Sequence, residues 1–175
     1  MVFTKIEIFH ACLPEERTPE ESAVMEFAQL ARRRLESIPS SEDTNKVTLQ
    51  LLSEESASAL DSSSGVVFLF LVSCGPDGSV HRGVRKFIKK LKEGTSTGDH
   101  EEPRYCIALL GHSVCETSAE QMADQVFGPG RRMAKTLQHT SGCTPLIDTL
   151  ETQIELVGPE EAFDGWIEAL VNKLQ

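Results

Sequence analysis

At 175 residues the chain suits one domain, long enough to bury roughly two-thirds of its unfolded surface without staples. A net charge of −10 and a pI near 5.0 argue against nucleic acid or anionic membrane as a partner, and leave a basic protein or plain solvation as the use of the acidic surface. Five cysteines (Cys12, Cys74, Cys106, Cys115, Cys143) form no CxxC pair and are odd in number, which supports neither a disulfide framework nor a zinc ribbon and predicts reduced thiols.

No apolar run approaches the roughly 20 residues that span a bilayer. The opening MVFTKIEIF lacks the basic, apolar and small-residue order of a signal peptide, so a soluble, cytoplasmic chain is expected.

Residues Phe3–Phe9 alternate, with Ile6 and Ile8 apolar and Lys5 and Glu7 polar, and predict a strand ended by His10–Pro14. A helix over 19–36 follows: Thr18 suits the N-cap, Pro19 the first helical position, and Glu20 and Glu21 the first turn. Its apolar positions Val24, Phe27, Ala28, Ala31 and Leu35 recur at helical spacing, and Arg32–Arg34 complement the dipole at its end. After a polar loop over Ile38–Asn45, Val47–Leu52 alternates as an edge strand with one solvated face does. Ser53–Ser64 is Ser-rich and acidic, a loop or a short surface helix too polar to add much to the core.

Val66–Gly75, VVFLFLVSCG, begins with seven consecutive apolar residues, which predicts a strand buried on both faces over 66–73. A glycine-containing loop separates it from a helix carrying Val80, Val84, Phe87, Ile88 and Leu91 at 3-4-3 spacing. Glu93–Pro103 has loop composition. Tyr105–Leu110 is a second wholly apolar strand, followed by the polar Gly111–Thr117. Residues 119–126 are weakly helical, FGPG at 127–130 is expected to break or kink the pattern, and Arg131–His139 resumes it up to Ser141-Gly142. A fifth strand is expected around Thr144–Leu150. Pro159 and Glu160 open a final helix whose Phe163, Trp166, Ile167, Leu170, Val171 and Leu174 make one apolar stripe.

The order β-α-β-β-α-β-α-β-α predicts an α/β fold: a doubly wound, five-stranded parallel sheet of order 2-1-3-4-5 with helices on both faces. A ligand crevice is then expected near His10–Thr18 and Ser73–Gly78, with Gly111–Thr117 as a third wall.

Val72-Ser73-Cys74-Gly75-Pro76-Asp77-Gly78, with Phe87 some way on, resembles the second flavin-contacting loop of the flavodoxin family. Cys106-Ile107-Ala108-Leu109-Leu110-Gly111-His112-Ser113 is similar to its third loop, and Gly130–Leu137 and the Trp166 helix resemble the closing helices of the FMN-binding domain of diflavin reductases. The resemblance implies a flavodoxin-like fold, one FMN, and electron transfer as an oxidoreductase component that relies on a separate reductase and a redox partner protein; the acidic surface suits a basic docking surface on that partner. It assigns His10, Thr18, Ser22, Ser73, Cys74, Gly75, Pro76, Gly78, Gly111, His112, Ser113 and Cys115 to the cofactor.

The chain departs from the family pattern at each contact. Its phosphate loop is degenerate: Ala11–Glu21 has no glycine and carries Glu15, Glu16, Glu20 and Glu21, each disfavouring a nearby phosphate by on the order of 1 kcal/mol near a surface. Thr18 and Ser22 are the hydroxyls on offer. Cys74 and Cys115 stand near the usual places of larger ring-contacting residues, and Tyr105 and Trp166 are accounted for as core, so the flavin-stacking aromatics are missing. Cys74 and Cys115 read either as a redox pair, needing a nearby cation such as His112 or His81, or as small residues in a shrunken site. His112 suits a flavin edge or the cap of a turn. His10, Cys12, Cys74, His81 and His112 have no metal-ligand spacing, and Arg131 and Arg132 are expected on a solvated helix face away from the crevice. A flavodoxin-like domain that has lost FMN and serves as an interaction or scaffold module is the alternative.

Overall fold

The computed structural model describes residues 3–12, 22–38, 46–61, 65–93, 103–112, 119–140, 143–154 and 159–175. Strands β1 (Lys5–Ala11), β2 (Lys46–Leu51), β3 (Val66–Cys74) and β4 (Arg104–Gly111) pair in parallel, and β5 (Thr144–Pro145) and β6 (Leu150–Gln153) both lie along β4. The spatial order β2-β1-β3-β4-β5 is the flavodoxin-like 2-1-3-4-5 expected from the sequence. The apolar runs are the central strands because only a strand covered on both faces can bury consecutive apolar side chains.

Alternation along the strands divides the core in two. Ile6, Ile8, Leu69, Leu71, Ala108 and Leu110 face α1 (Ala23–Glu36) and α5 (Pro159–Leu174). Phe9, Phe68, Phe70, Val72, Ile107 and Leu109 face α2 (Ser56–Asp61), α3 (Arg82–Glu93) and α4 (Ala119–Thr140). On that second face Phe9 stacks on Phe70 with centroids 5.5 Å apart, and Phe70 meets Phe87 of α3 at the same distance. Each buried Phe of this kind contributes about 1.5–3 kcal/mol through burial.

Four expectations need correction. Helix α1 begins at Ala23, capped by Ser22 in extended conformation, a turn later than the expected start; Thr18 and Pro19 lie outside the described residues. The Ser-rich segment does contribute to the core, since α2 turns Ala57 and Leu60 inward to 5% and 3% exposure. Helix α4 runs unbroken through FGPG, with Pro129 inside it. The cause is tertiary: the missing side chain of Gly130 lets the helix lie directly on Leu109, whose methyl groups occupy the space a Cβ there would need. The fifth strand is split, with Leu146–Thr149 leaving the sheet between β5 and β6. Leu146 N–H donates to the Tyr105 carbonyl, and the Trp166 indole N–H, from the other face, donates to the Asp148 carbonyl at 2.8 Å and holds the excursion.

Candidate functional site

The connections after β1 and β3 leave the sheet in opposite directions, toward β2 and toward β4. The carboxyl ends of these neighbouring strands therefore border the crevice that a doubly wound sheet offers a ligand. Those of the sequence-predicted residues that are described lie around these strand ends, on two sides of the sheet. Following the alternation of β1 and β3, His10 and Ser73 stand on the α1/α5 side with Cys12, and the cap residue Ser22 is buried there at 2% exposure. Ser73 is fully buried, and its Oγ has no hydrogen-bond partner among the described residues. A buried hydroxyl in that condition costs about 1–3 kcal/mol unless something meets it.

Cys74 and Gly111 lie on the opposite side, in register with each other across β3 and β4. Cys74 is fully buried in the α3/α4 core, and burial, with the Glu151 charge as a lesser cause, pushes its thiol up to about 12. No useful thiolate exists there at neutral pH, so the redox-pair reading fails on Cys74; Cys115, like Thr18 and Ser113, lies outside the described residues.

Between the two sides, residues 75–79 form a closed turn. Gly75 N–H donates to the Ser79 carbonyl at 2.8 Å, Gly78 N–H to the Gly75 carbonyl at 2.9 Å, and Ser79 N–H to Asp77 Oδ1 at 2.8 Å. These Ser79 contacts hold the exposed Asp77 carboxyl below its ordinary range. Pro76 is the exposed tip, and Gly78 takes a φ of +75°, which only glycine adopts without strain. The half-buried His112 donates its main-chain N–H to the Cys74 carbonyl at 2.8 Å, extending the β3–β4 ladder by one bond.

The structure adds residues that sequence reasoning missed. Gln125, Val126 and Phe127 of α4 roof the turn and the end of β4. Gln125 Nε2 donates to the Pro76 carbonyl at 3.2 Å. A Cβ on Gly111 would lie 2.8 Å from the Phe127 ring, and one on Gly78 would lie 2.5 Å from the Gln125 carbonyl oxygen. The glycines that resembled cofactor approaches are thus places where protein meets protein. The signal available was the FGPG of α4, whose small residues let a helix approach a strand end closely.

Further out, Arg131 is not on a free solvated face: its guanidinium forks onto Glu151 of β6, Nε to Oε1 at 2.7 Å and Nη2 to Oε2 at 2.6 Å, and also binds Asp124. His81 caps α3, its Nδ1 accepting from Gly83 N–H at 3.0 Å. Among the described residues no three His, Cys, Asp or Glu side chains group as a metal site, and no helix is long and apolar enough to cross a membrane.

Solved structures that resemble this one are flavodoxins. A short-chain flavodoxin associated with a non-canonical PDU bacterial microcompartment superposes with a TM-score of 0.64 at 13% identity, covering 100% of both chains. Oxidised flavodoxin 2 from Bacillus cereus gives 0.62 at 15% identity, over 97% of this chain and 99% of that one. A cysteine-to-serine mutant of flavodoxin from Pseudomonas aeruginosa gives 0.60 at 15% identity, over 97% and 98%. The fold is flavodoxin-like. No protein-family model matches the sequence, and neither does any curated protein.

Proposed function

We propose that this chain is a flavodoxin-like electron-transfer module that takes FMN at the carboxyl end of its sheet. The observation that carries the reading is the Ser73 hydroxyl, without a hydrogen-bond partner among the described residues and buried where the connections of β1 and β3 diverge in a sheet of flavodoxin order. A polar group of a ligand relieves the cost of leaving that oxygen unmet. When bound, the flavin supplies one- or two-electron transfer. The chain's part is to hold and orient it: Ser22 and Thr18 offer hydroxyls to the phosphate side, Ser73 meets a polar group of the cofactor, and the backbone of 75–78 with His112 borders the ring edge. Gln125 fixes the turn from behind through the Pro76 carbonyl. A separate reductase delivers the electrons, and the charge of −10 steers a partner protein with a basic docking surface.

The test is retention of FMN by the purified protein in ultrafiltration at micromolar cofactor. Ser73→Ala is expected to weaken retention by roughly 5- to 150-fold, the equivalent of 1–3 kcal/mol for one lost buried hydrogen bond. A second reading, an interaction module that keeps the fold and has given up the flavin, is favoured by the glycine-free, four-glutamate sequence of Ala11–Glu21. It replaces the first if wild-type protein retains no FMN.

A further inference from the structure

Resting on the flavin reading, we propose that this chain holds the isoalloxazine ring with no Phe, Tyr or Trp on either face, between walls that include Pro76 and His112. The chain has eight Phe, one Tyr and one Trp, and every one of them is in the core. None falls in the stretches outside the described residues, so no arrangement of those stretches brings an aromatic ring of these three kinds to the crevice.

Each ring is also committed. Phe9, Phe68, Phe70 and Phe87 pack on one another beneath α3, and Phe27 meets Phe163 edge-on at 4.8 Å between α1 and α5. The Tyr105 ring is buried at the start of β4, six residues and therefore about 20 Å of strand from Gly111, with its hydroxyl reaching the Ala134 carbonyl at 3.4 Å. Trp166 donates its N–H to the Asp148 carbonyl. Phe127 of α4, at the end of β4, is 4% exposed and fills the space over Gly111. Withdrawing any of these rings empties a core position, a change that costs about as much as a Phe→Ala substitution.

Among the described residues, the exposed Pro76 and the half-buried His112 are ring-bearing side chains at the crevice. The consequence is spectroscopic as well as energetic. Contact with an electron-rich indole or phenol quenches an excited flavin by electron transfer, and neither is present to do so. Each missing aromatic face also weakens binding by roughly 2- to 13-fold.

The experiment separates binding from stacking by measuring FMN retention in ultrafiltration and, on the same samples, flavin emission per bound flavin. The expected result is retention with emission close to that of free FMN. Retention with strongly quenched emission overturns the unstacked ring while leaving the flavin reading intact. No retention overturns both. Pro76→Trp, at an exposed position whose main-chain carbonyl accepts from Gln125, is expected to quench the emission severalfold and tighten retention; bound flavin with unchanged emission removes Pro76 from the ring wall. Pro76→Tyr serves the same purpose if the Trp variant folds poorly.

Discussion

Gly78 lies against the main-chain carbonyl of Gln125, so closely that a Cβ on Gly78 would stand 2.5 Å from the oxygen. In an unbroken helix that carbonyl would accept from the residue four positions on, which is Pro129 and has no N–H. Pro129 thus removes the i+4 donor for that carbonyl at the spot where the turn after β3 docks. Gly78 also has a φ of +75°.

Gly78→Ala therefore combines a left-handed backbone with a contact to rigid main chain. It is expected to cost about 2–4 kcal/mol, the left-handed penalty alone being about 1–2. Gly165→Ala provides the opposite case: no atom lies within 4 Å of its Cβ position on α5, and a helical Gly is about 0.5–1 kcal/mol worse than Ala. Urea midpoints at constant m-value should move in opposite directions for the two variants.

The buried thiols set an alkaline limit. Burial raises Cys74 and Cys106 from 9.0 to about 12, and burial also raises Tyr105 from 10.0 to about 12. Because the folded values lie above the unfolded ones, the stability these groups contribute is complete below pH 9.0 and is lost as pH climbs toward 12. Thermal melts should be flat in this respect up to pH 9.0 and fall beyond it. A thiol reagent near neutral pH should leave Cys74 and Cys106 unmodified in the native protein and react once urea unfolds it. Rapid native labelling of Cys74 would contradict its burial.

The sheet order and the two central strands could be read from the chain because VVFLFLV and YCIALL leave two-sided burial as the one placement that hides every side chain. The α5 stripe was equally plain. What escaped reading was contact between distant residues. Local propensity places a break at Gly128-Pro129-Gly130, but the packing of Gly130 on Leu109 and of Gly78 on Gln125 keeps α4 whole. The sequence places Cys74 in the crevice loop, whereas strand alternation sends its side chain into the opposite core. The excursion that splits the last strand is met by Trp166, a residue of a distant helix, through one hydrogen bond to the Asp148 carbonyl.

Arg131 joins α4 to β6 through its paired bonds to Glu151, with Asp124 as a third partner. The pair is partly exposed, the two side chains at 37% and 27%, so water screens it. Arg131→Ala is expected to cost about 1 kcal/mol, the upper end for exposed pairs, because the fork is bidentate and networked. Arg131→Lys should recover less than half of this, since an ammonium cannot make the fork. A double-mutant cycle with Glu151→Gln, run at low and high salt, should give a coupling that shrinks with salt.

His81 makes the start of α3 sensitive to acid. Its Nδ1 accepts from Gly83 N–H at 3.0 Å, which requires that nitrogen to be deprotonated. Burial, and then the positive charge of Arg85, lower its pKa below the ordinary 6.5. With the folded value below the unfolded one, the capping contribution is complete above 6.5 and is lost as pH falls through the folded pKa. His81→Asn keeps an acceptor at a cap position and removes the titration, so it should match wild type near neutrality and flatten the decline on the acid side. His81→Ala should be less stable than both near neutrality by about 1 kcal/mol, and equally free of the acid decline. Urea melts of the three proteins across this range test the assignment: an acid limb that persists unchanged in His81→Asn would place its origin elsewhere.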